Sequence, residues 1–333
     1  MRTLMMAAAV LLLAGLPALT GCNCGGQAAG PGAGAPKLVE LIQFSDLPVT
    51  SEYRQSITGG LAEAGLAEGR EYRLVTRSAQ GEMPNVSALV DAAVADDADL
   101  LITFQPQALY AALQRAGTTP TVFAILDDPF VLGAGRTDTD HAANLTGQYF
   151  IPDFAKLTEL ILACRPATKK LGVMFQIGDD ESAKRLAGLT AAAQARGVTV
   201  EALGYATAGD ITATAAALGG KGVDGYVHLP EPYYMVTLTA LAQQASANRL
   251  PVYSMAQGAE AAACLVSAND YNELARQFAR LLARVIKGDD PATIPFQNSS
   301  AIPPQLIINR QACAAAGIVL PPEVLARATA VVD

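Results

Sequence analysis

Residues 98–106 read ADLLITFQP, an apolar run followed by a polar turn that ends in proline. The same arrangement returns at 223–232, which read VDGYVHLPEP. A short apolar run bounded by turn residues is typical of a strand buried in a parallel sheet. Each stretch is therefore predicted to be a central strand followed by a loop. The repetition indicates that one architecture occurs twice in the chain.

The first half of the chain alternates strand and helix around residues 98–106. Apolar periodicity and turn residues predict strands at Lys37–Phe44, Glu71–Ser78, Leu100–Phe104 and Thr121–Leu126, and helices at Ser51–Ala67, Met83–Asp96 and Ala108–Arg115. Alternation of this kind predicts an α/β fold, in which a parallel sheet carries helices on both faces.

The second half repeats this order after a boundary near 144–153. It predicts strands at Val198–Leu203, 225–229, Val252 and Leu306–Asn309, and helices at 183–196 and Asp270–Lys287, with helical pieces continuing to Ala330. The fold class is therefore α/β, with two doubly wound parallel-sheet lobes. Ligands of such sheets bind beyond the carboxyl ends of the strands, so two facing lobes predict one site in the crevice between them.

Composition excludes several classes of protein. The chain has 333 residues, of which 51% are hydrophobic and 16% charged, so a largely disordered chain is excluded. The formal net charge is −8, and no stripe of lysine and arginine is present. Nucleic acid and anionic membrane surfaces are therefore not expected as partners.

The N-terminus has the features of an export signal. Met1-Arg2-Thr3 precedes an apolar run from Leu4 to Leu16, which is shorter than the roughly 20 residues of a membrane span. Leu19-Thr20-Gly21-Cys22 then resembles the lipobox of bacterial lipoproteins, although an ordinary cleavage site followed by an incidental cysteine would read similarly. We predict a lipoprotein signal peptide at 1–21 and lipidation of Cys22.

The segment that follows is predicted to be a tether. Residues 22–36 are rich in Gly, Ala and Pro, a composition that forms a flexible linker rather than a core. Four further cysteines remain: Cys24, Cys164, Cys264 and Cys313. An exported protein can form disulfides, but the spacing of these cysteines does not assign pairs.

Several short motifs, in a fixed order along the chain, resemble a known family. They are 57–65, ITGGLAEAG; 79–81, AQG; Asp128-Pro129; 144–147, NLTG; 269–274, NDYNEL; Asn309; 316–318, AGI; and Pro321-Pro322. Together they resemble the substrate-binding lipoproteins of ABC transporters with the type I periplasmic binding protein fold. The group that includes tryptophan- and tyrosine-type binding proteins is the most similar.

This resemblance implies the division of the chain into lobes. It implies a first lobe at 37–147 plus 270–288, a second at 150–265 plus 304–333, and a hinge of three crossings about which the lobes close. Two departures from the family pattern fall at the predicted site: an Asn-Pro-x-Glu-x-Asn-Ser turn reads QIGDDES at 176–182, and an Asp becomes Glu231. The ligand therefore cannot be copied from relatives.

In the second lobe, two residues after strands are the main candidates. Ser182 opens the predicted helix 183–196, where unpaired N–H groups suit a ligand carboxylate, unless Ser182 only caps the helix. Glu231 lies between two prolines after a buried strand and would suit a ligand ammonium, unless it is a solvent-facing loop acid.

The remaining candidates lie at strand ends and along the rim of the crevice. Asp128, next to Asp127, is expected to be a pocket residue, because two adjacent carboxylates require a cation, water or an N–H group nearby. The aromatic candidates could instead be core residues, and His228 is expected in a strand interior or as a rim donor. The other predicted ligand-binding residues are Phe44, Ser45, Asp46, Thr103, Phe104, Gln105, Tyr205, Tyr233, Gln257 and Asp270.

The predicted function is binding without catalysis. The sequence has two histidines, no Gly-x-Ser-x-Gly motif and no metal-ligand spacing, so neither enzymatic activity nor a cofactor or metal is predicted. We predict a lipid-anchored, extracytoplasmic solute-binding protein that captures a small, amine-bearing or amino-acid-like ligand and delivers it to an ABC permease. The alternatives are a periplasmic receptor that feeds a membrane signalling protein and, more remotely, a secreted hydrolase.

Overall fold

The computed structural model describes residues 35–231 and 233–333, with the backbone alone at Pro48. The predicted signal peptide, Cys22, Cys24 and nearly all of the predicted tether lie outside this part of the chain. No helix in the described part is long and apolar enough to cross a membrane.

The first sheet has six parallel strands in the order β13-β7-β4-β3-β1-β2. Its strands are β1 Lys37–Gln43, β2 Tyr72–Ser78, β3 Leu100–Phe104, β4 Thr121–Ala124, β7 Leu145–Tyr149 and β13 Gln297–Asn298. A separate antiparallel hairpin, β5 Gly135–Thr137 and β6 Asp140–His141, lies between β4 and β7 in the chain. We refer to the first sheet and its helices as lobe one.

Helices cover both faces of this sheet because neighbouring side chains of a strand point to opposite faces. Ile102 of β3 packs with α1 Pro48–Glu63 and α8 Tyr271–Lys287, whereas the adjacent Leu101 packs with α2 Met83–Ala95 and α3 Pro106–Arg115. Both α1 and α3 begin earlier than predicted, at a proline. Proline suits the first helical position because the N–H that it lacks has no partner there.

Helices α1 and α8 approach each other closely at a glycine. A Cβ atom placed on Gly60 would lie 2.5 Å from the Cβ of Ala279, so no larger residue fits without movement. The neighbouring Gly59 has open space around it. The close approach packs α8 against the first lobe, although α8 follows strands of the second sheet in the sequence.

The second sheet has seven strands in the order β15-β14-β12-β11-β10-β8-β9. They are β8 Lys170–Gln176, β9 Thr199–Tyr205, β10 Gly225–His228, β11 Val252–Ser254, β12 Leu265–Ala268, β14 Gln305–Asn309 and β15 Ala330–Val332. Only β14 against β12 is antiparallel among these pairs of described strands. The sequence predicted helical pieces as far as Ala330. The structure instead has strand β15 from Ala330 onward, and this strand pairs with β14.

Six helices belong with the second sheet, which together we call lobe two. They are α4 Phe154–Cys164, α5 Asp180–Gln194, α6 Ile211–Gly219, α7 Tyr234–Asn248, α9 Arg310–Ala315 and α10 Pro322–Leu325. Helices α4 and α5 contribute to one apolar cluster, and α6 and α7 to another. The predicted fold class, two doubly wound α/β lobes, is confirmed.

Within the part of the chain that the structure describes, the backbone passes between the two sheets three times. It crosses after β7, returns from β12 to α8 and β13 in lobe one, and enters lobe two again at β14. Ile151, Asn269 and Ser300, one from each crossing, line a common cavity of about 20 Å³. The three crossings therefore run side by side and form the hinge.

Candidate ligand-binding site

The predicted site residues of lobe one lie near the carboxyl ends of its strands, with Thr103 and Phe104 as the last two residues of β3. Two of the loops there have unusual backbone geometry: Gln105 after β3 has φ 73°, and Ile125 after β4 has φ 61°. Residues other than glycine rarely adopt positive φ, and such positions concentrate at functional sites. These loops are the part of lobe one that faces the crevice.

Side-chain hydrogen bonds fix the end of β1. Gln105 Oε1 accepts from the Ser45 N–H at 2.9 Å, and its amide donates to Ser45 Oγ at 3.0 Å. Asp46 accepts from Gln43 Nε2 at 2.5 Å and from Ser78 Oγ at 2.6 Å. Ser45, Asp46 and Gln105 are thus brought together by strands β1, β2 and β3.

The two aromatic candidates of lobe one contact its apolar clusters. Phe104 is fully buried, with its ring 5.4 Å from that of Tyr53 and 6.2 Å from that of Phe278. Phe44 is half-buried against the cluster formed by α2 and α3. Thr103 is also buried, and its hydroxyl has no hydrogen-bond partner among the described residues.

In lobe two, Ser182, Tyr205 and Glu231 form a buried hydrogen-bonded group. Ser182 Oγ donates to Glu231 Oε1 at 2.9 Å, and the Tyr205 hydroxyl donates to Glu231 Oε2 at 2.5 Å. Glu231 is 6% exposed, so it is not a solvent-facing loop acid. No lysine or arginine in the described part of the chain forms an ion pair with it.

Burial raises the pKa of Glu231 to about 7, although the hydrogen bonds from Tyr205 and Ser182 act in the opposite direction. Burial also raises the pKa of the Tyr205 hydroxyl, which therefore remains a donor. A desolvated carboxylate that receives only hydroxyl hydrogen bonds still favours a nearby positive charge. A ligand ammonium would supply that charge.

Ser182 does not open helix α5. The helix begins at Asp180, and the carboxylate of Asp179 caps it by accepting from the Ser182 N–H at 2.9 Å. A carboxylate at the N-cap also interacts favourably with the positive end of the helix dipole. The cap therefore falls on Asp179, and the Ser182 hydroxyl is directed to Glu231.

Five charged residues join the two lobes, and among these five only Asp128 was a predicted site residue. Arg185 of α5 pairs with Asp127, which follows β4 in lobe one, and with Glu181 of its own helix at 2.7 Å. Lys184 pairs with Asp128. The backbone N–H of Asp127 also donates to Glu181 Oε1 at 3.2 Å.

These ion pairs lie next to the Ser182–Tyr205–Glu231 group, because Arg185 Nη1 donates to the carbonyl of Pro230. Burial, followed by the charge of Asp127, raises the pKa of Glu181 to about 8. The neighbouring acids Asp127 and Asp128 were a sequence signal that a cation, water or an N–H group lies nearby. Nothing in the sequence indicated that cations of the other lobe would fill this place.

The predicted rim residues have varied surroundings. Tyr233 is half-exposed, with its ring 6.3 Å from that of Tyr205, and Gln257 is half-buried after β11. Asp270 caps α8 by accepting from the Glu273 N–H at 3.0 Å. The adjacent Tyr271 was not predicted; burial, followed by the charge of Asp127, raises the pKa of its hydroxyl to about 12.

Two further observations concern metal-ligating groups and His228. Within residues 35–231 and 233–333, no group of three or more His, Cys, Asp or Glu side chains could hold a metal ion. His228 is buried between Ser254 Oγ and the carbonyl of Tyr234, and burial lowers its pKa to about 4. His228 is therefore a neutral, buried residue at the end of β10.

Two α/β lobes, three hinge crossings and a charged crevice at the strand ends define a two-lobed binding protein. A family model described as ABC transporter substrate binding protein matches residues 38–332. The chain belongs to this family, which confirms the resemblance drawn from the sequence.

One relative and two solved structures resemble this chain. A tyrosine-binding protein of Clostridioides difficile is 22% identical over 84% of this chain and 83% of its own length. An ABC domain from Streptococcus pneumoniae solved with L-Trp has a TM-score of 0.82 at 22% identity, covering 90% of this chain and 100% of the other. A conserved domain protein from Vibrio cholerae also has a TM-score of 0.82, at 23% identity, covering 89% and 99%.

Proposed function

We propose that this protein captures an amino-acid-like ligand between its lobes, with the ligand ammonium on Glu231, and delivers it to an ABC permease. One observation carries the proposal: Glu231 is buried and receives two hydroxyl hydrogen bonds, but no lysine or arginine of the described residues pairs with it. A buried carboxylate without a cationic partner would be stabilised by a cation that enters the crevice before it closes.

The relatives support this class of ligand. One is named for tyrosine, and another was solved with L-Trp, and both of these molecules carry an ammonium group. The Asp-to-Glu departure at Glu231 preserves the negative charge, although it moves the carboxylate by one methylene group. We therefore expect an amine-bearing ligand and leave open which side chain it carries.

Closure of the lobes would complete the site. The pairs Arg185–Asp127 and Lys184–Asp128 join the lobes beside Glu231. A ligand that bridges the lobes would add to these contacts, which favours the closed form through its differential affinity. We also propose lobe limits close to 37–147 plus 270–288 and 150–265 plus 304–333, with β7 as far as Tyr149 and β13 added to lobe one.

Calorimetry with matched probes tests the ligand class. The probes are L-tyrosine, L-tryptophan, tyramine and 3-(4-hydroxyphenyl)propionate, the last of which lacks the amine. We expect the amines to bind and the propionate to bind far more weakly. Tight binding of the propionate would contradict the ammonium assignment.

The variant Glu231→Gln isolates the charge. Loss of one partner of a buried charge pair costs roughly 2–5 kcal/mol, or about 30- to 4,000-fold in affinity. Glu201→Gln, in the same lobe but only half-buried and paired with Lys221, is the matched control and should bind normally. Equal affinities for Glu231→Gln and the wild type would exclude an ammonium at this position.

We also propose that Cys22 carries the lipid anchor. Cys22→Ser should release the protein from the membrane fraction or leave the signal uncleaved, whereas the control Cys24→Ser should remain anchored. Membrane fractionation and mass spectrometry of the N-terminal peptide measure this directly. Unchanged anchoring of Cys22→Ser would contradict it. Delivery requires a separate assay, in which uptake of a labelled probe depends on both this protein and the permease.

A further inference from the structure

Three buried cysteines share one apolar cluster in lobe two. Cys164, Cys264 and Cys313 are each less than one-tenth exposed and pack together with Tyr253. Cys164 ends α4, Cys264 directly precedes β12, and Cys313 lies in α9. The ligand-binding role proposed above uses none of them.

The pairing of strands β12 and β14 brings two of these cysteines together. In that antiparallel pair, Leu265 lies opposite Ile308, so Cys264 lies opposite Asn309. The Asn309 N–H donates to the carbonyl of Cys264 at 3.0 Å. Asn309 also caps α9, because its Oδ1 accepts from the Ala312 N–H at 2.8 Å.

Cys313 lies four residues after Asn309, and four residues make about one turn of helix. One turn of α9 therefore brings the side chain of Cys313 close to Cys264. Its Sγ lies 3.4 Å from the carbonyl oxygen of Cys264. The proximity of the two thiols lowers the pKa of Cys264 and raises the pKa of Cys313. Strand register and helix cap together therefore fix the two sulfur atoms side by side.

We propose that Cys264 and Cys313 form a structural disulfide in the exported protein, while Cys164 remains a free thiol. Members of this family act outside the cytoplasm, where disulfides form and persist. The proposal depends on export but not on the identity of the ligand.

The oxidant is a disulfide, either that of a thiol oxidase of the cell envelope or oxidised glutathione. The Cys264 thiolate attacks one sulfur of the oxidant, which releases the first thiol and leaves a mixed disulfide. The Cys313 thiolate then attacks the Cys264 sulfur and releases the second thiol. The oxidant gains two electrons, and the two protons lost by the cysteines end on its thiols. Because both cysteines are buried, this exchange belongs to folding, before β12, β14 and α9 have packed.

The bond would connect the two ends of a chain segment that leaves lobe two, passes through lobe one and returns. The two cysteines are 49 residues apart in sequence, and the chain between them includes α8 and β13 of lobe one. Two of the three hinge crossings also lie in this segment, at Asn269 and Ser300. A disulfide at its base would hold both crossings to lobe two while the lobes rotate.

Peptide mapping of the full-length protein tests the pairing. The protein is purified from the cell envelope and unfolded in denaturant that contains iodoacetamide, so that buried free thiols are also blocked. We expect a linked pair of peptides that contain Cys264 and Cys313, with Cys164 alkylated. Alkylation of both Cys264 and Cys313, or linkage of either to Cys24 or Cys164, would overturn the proposal.

Thermal unfolding supplies a second test on the same protein. We expect reduction during unfolding and refolding to lower the Tm by about 5–10 °C. Cys264→Ala and Cys313→Ala should lose this sensitivity to reductant, whereas the control Cys164→Ala should keep it. A Tm of the wild type that does not change with reductant would overturn the proposal, whether or not the alanine variants fold.

Discussion

Arg185 of lobe two forms an ion pair with Asp127 of lobe one, and the same guanidinium also holds Glu181 of its own helix. Both groups of the Arg185–Asp127 pair are nearly buried. The contact with Asp127 exists only while the lobes are together, whereas the contact with Glu181 lies within α5. The two contacts can therefore be separated by substitution.

Asp127→Asn should weaken lobe closure without disturbing lobe two, because the Glu181–Arg185 pair remains. Since the lost partner is charged and buried, we expect affinity for a bound amino acid to fall by roughly 30-fold or more. Small-angle scattering should also show a larger radius of gyration. Asp140→Asn, which removes an exposed ion pair with Arg136, is the control. Normal affinity and compaction in Asp127→Asn would show that this pair does not stabilise closure.

Ligand affinity should depend on pH through Glu231. Its pKa is about 7 in the unliganded protein, and an ammonium binds only its ionised form. Affinity should therefore be full above pH 7 and should fall by about tenfold for each pH unit below it. Calorimetry of L-tyrosine between pH 5.5 and 8 measures this slope, which Glu231→Gln should abolish. An identical slope in Glu231→Gln would assign the titration to another group.

Tyr205→Phe should move the midpoint of this pH profile upward. The Tyr205 hydroxyl stabilises the ionised form of Glu231, so its removal raises the pKa of that carboxyl further. The expected result is weaker binding at pH 7 that recovers partly at higher pH. Tyr110→Phe, on the exposed side of α3, should leave the midpoint unchanged. A uniform loss of affinity at every pH would instead indicate a packing role for Tyr205.

Adjacent glycines of α1 should respond oppositely to alanine. Gly60→Ala places a methyl group against Ala279 of α8 and should destabilise the protein by about 1–3 kcal/mol through overpacking. Gly59→Ala meets open space within the same helix and should stabilise it by about 0.5–1 kcal/mol. Urea unfolding of both variants measures the difference, and equal effects would mean that α1 and α8 do not pack closely.

The sequence predicted the central strands of both lobes well, because their apolar runs are bounded by turn residues. Leu100–Phe104 forms a strand with those bounds, and the helix predicted at Met83–Asp96 ends one residue earlier, at Ala95. The closing strand β15 was missed, because its pairing with β14 is not visible in a short segment at the end of the chain. The start of α5 was placed three residues late, because Asp179 and Ser182 are both good N-cap residues.

By itself the sequence determined the two-lobed α/β architecture, because apolar periodicity and turn residues are local properties, and it also placed acids at the strand ends. Only the tertiary structure decided which groups those acids contact. Asp127 faces Arg185, and Glu231 faces Ser182 and Tyr205, because strand order and lobe closure bring together residues that are far apart in the chain. The same is true of Cys264 and Cys313, whose proximity depends on the register of β12 against β14. Pairing across sheets and lobes is a long-range property, and a single sequence carries no local signal for it.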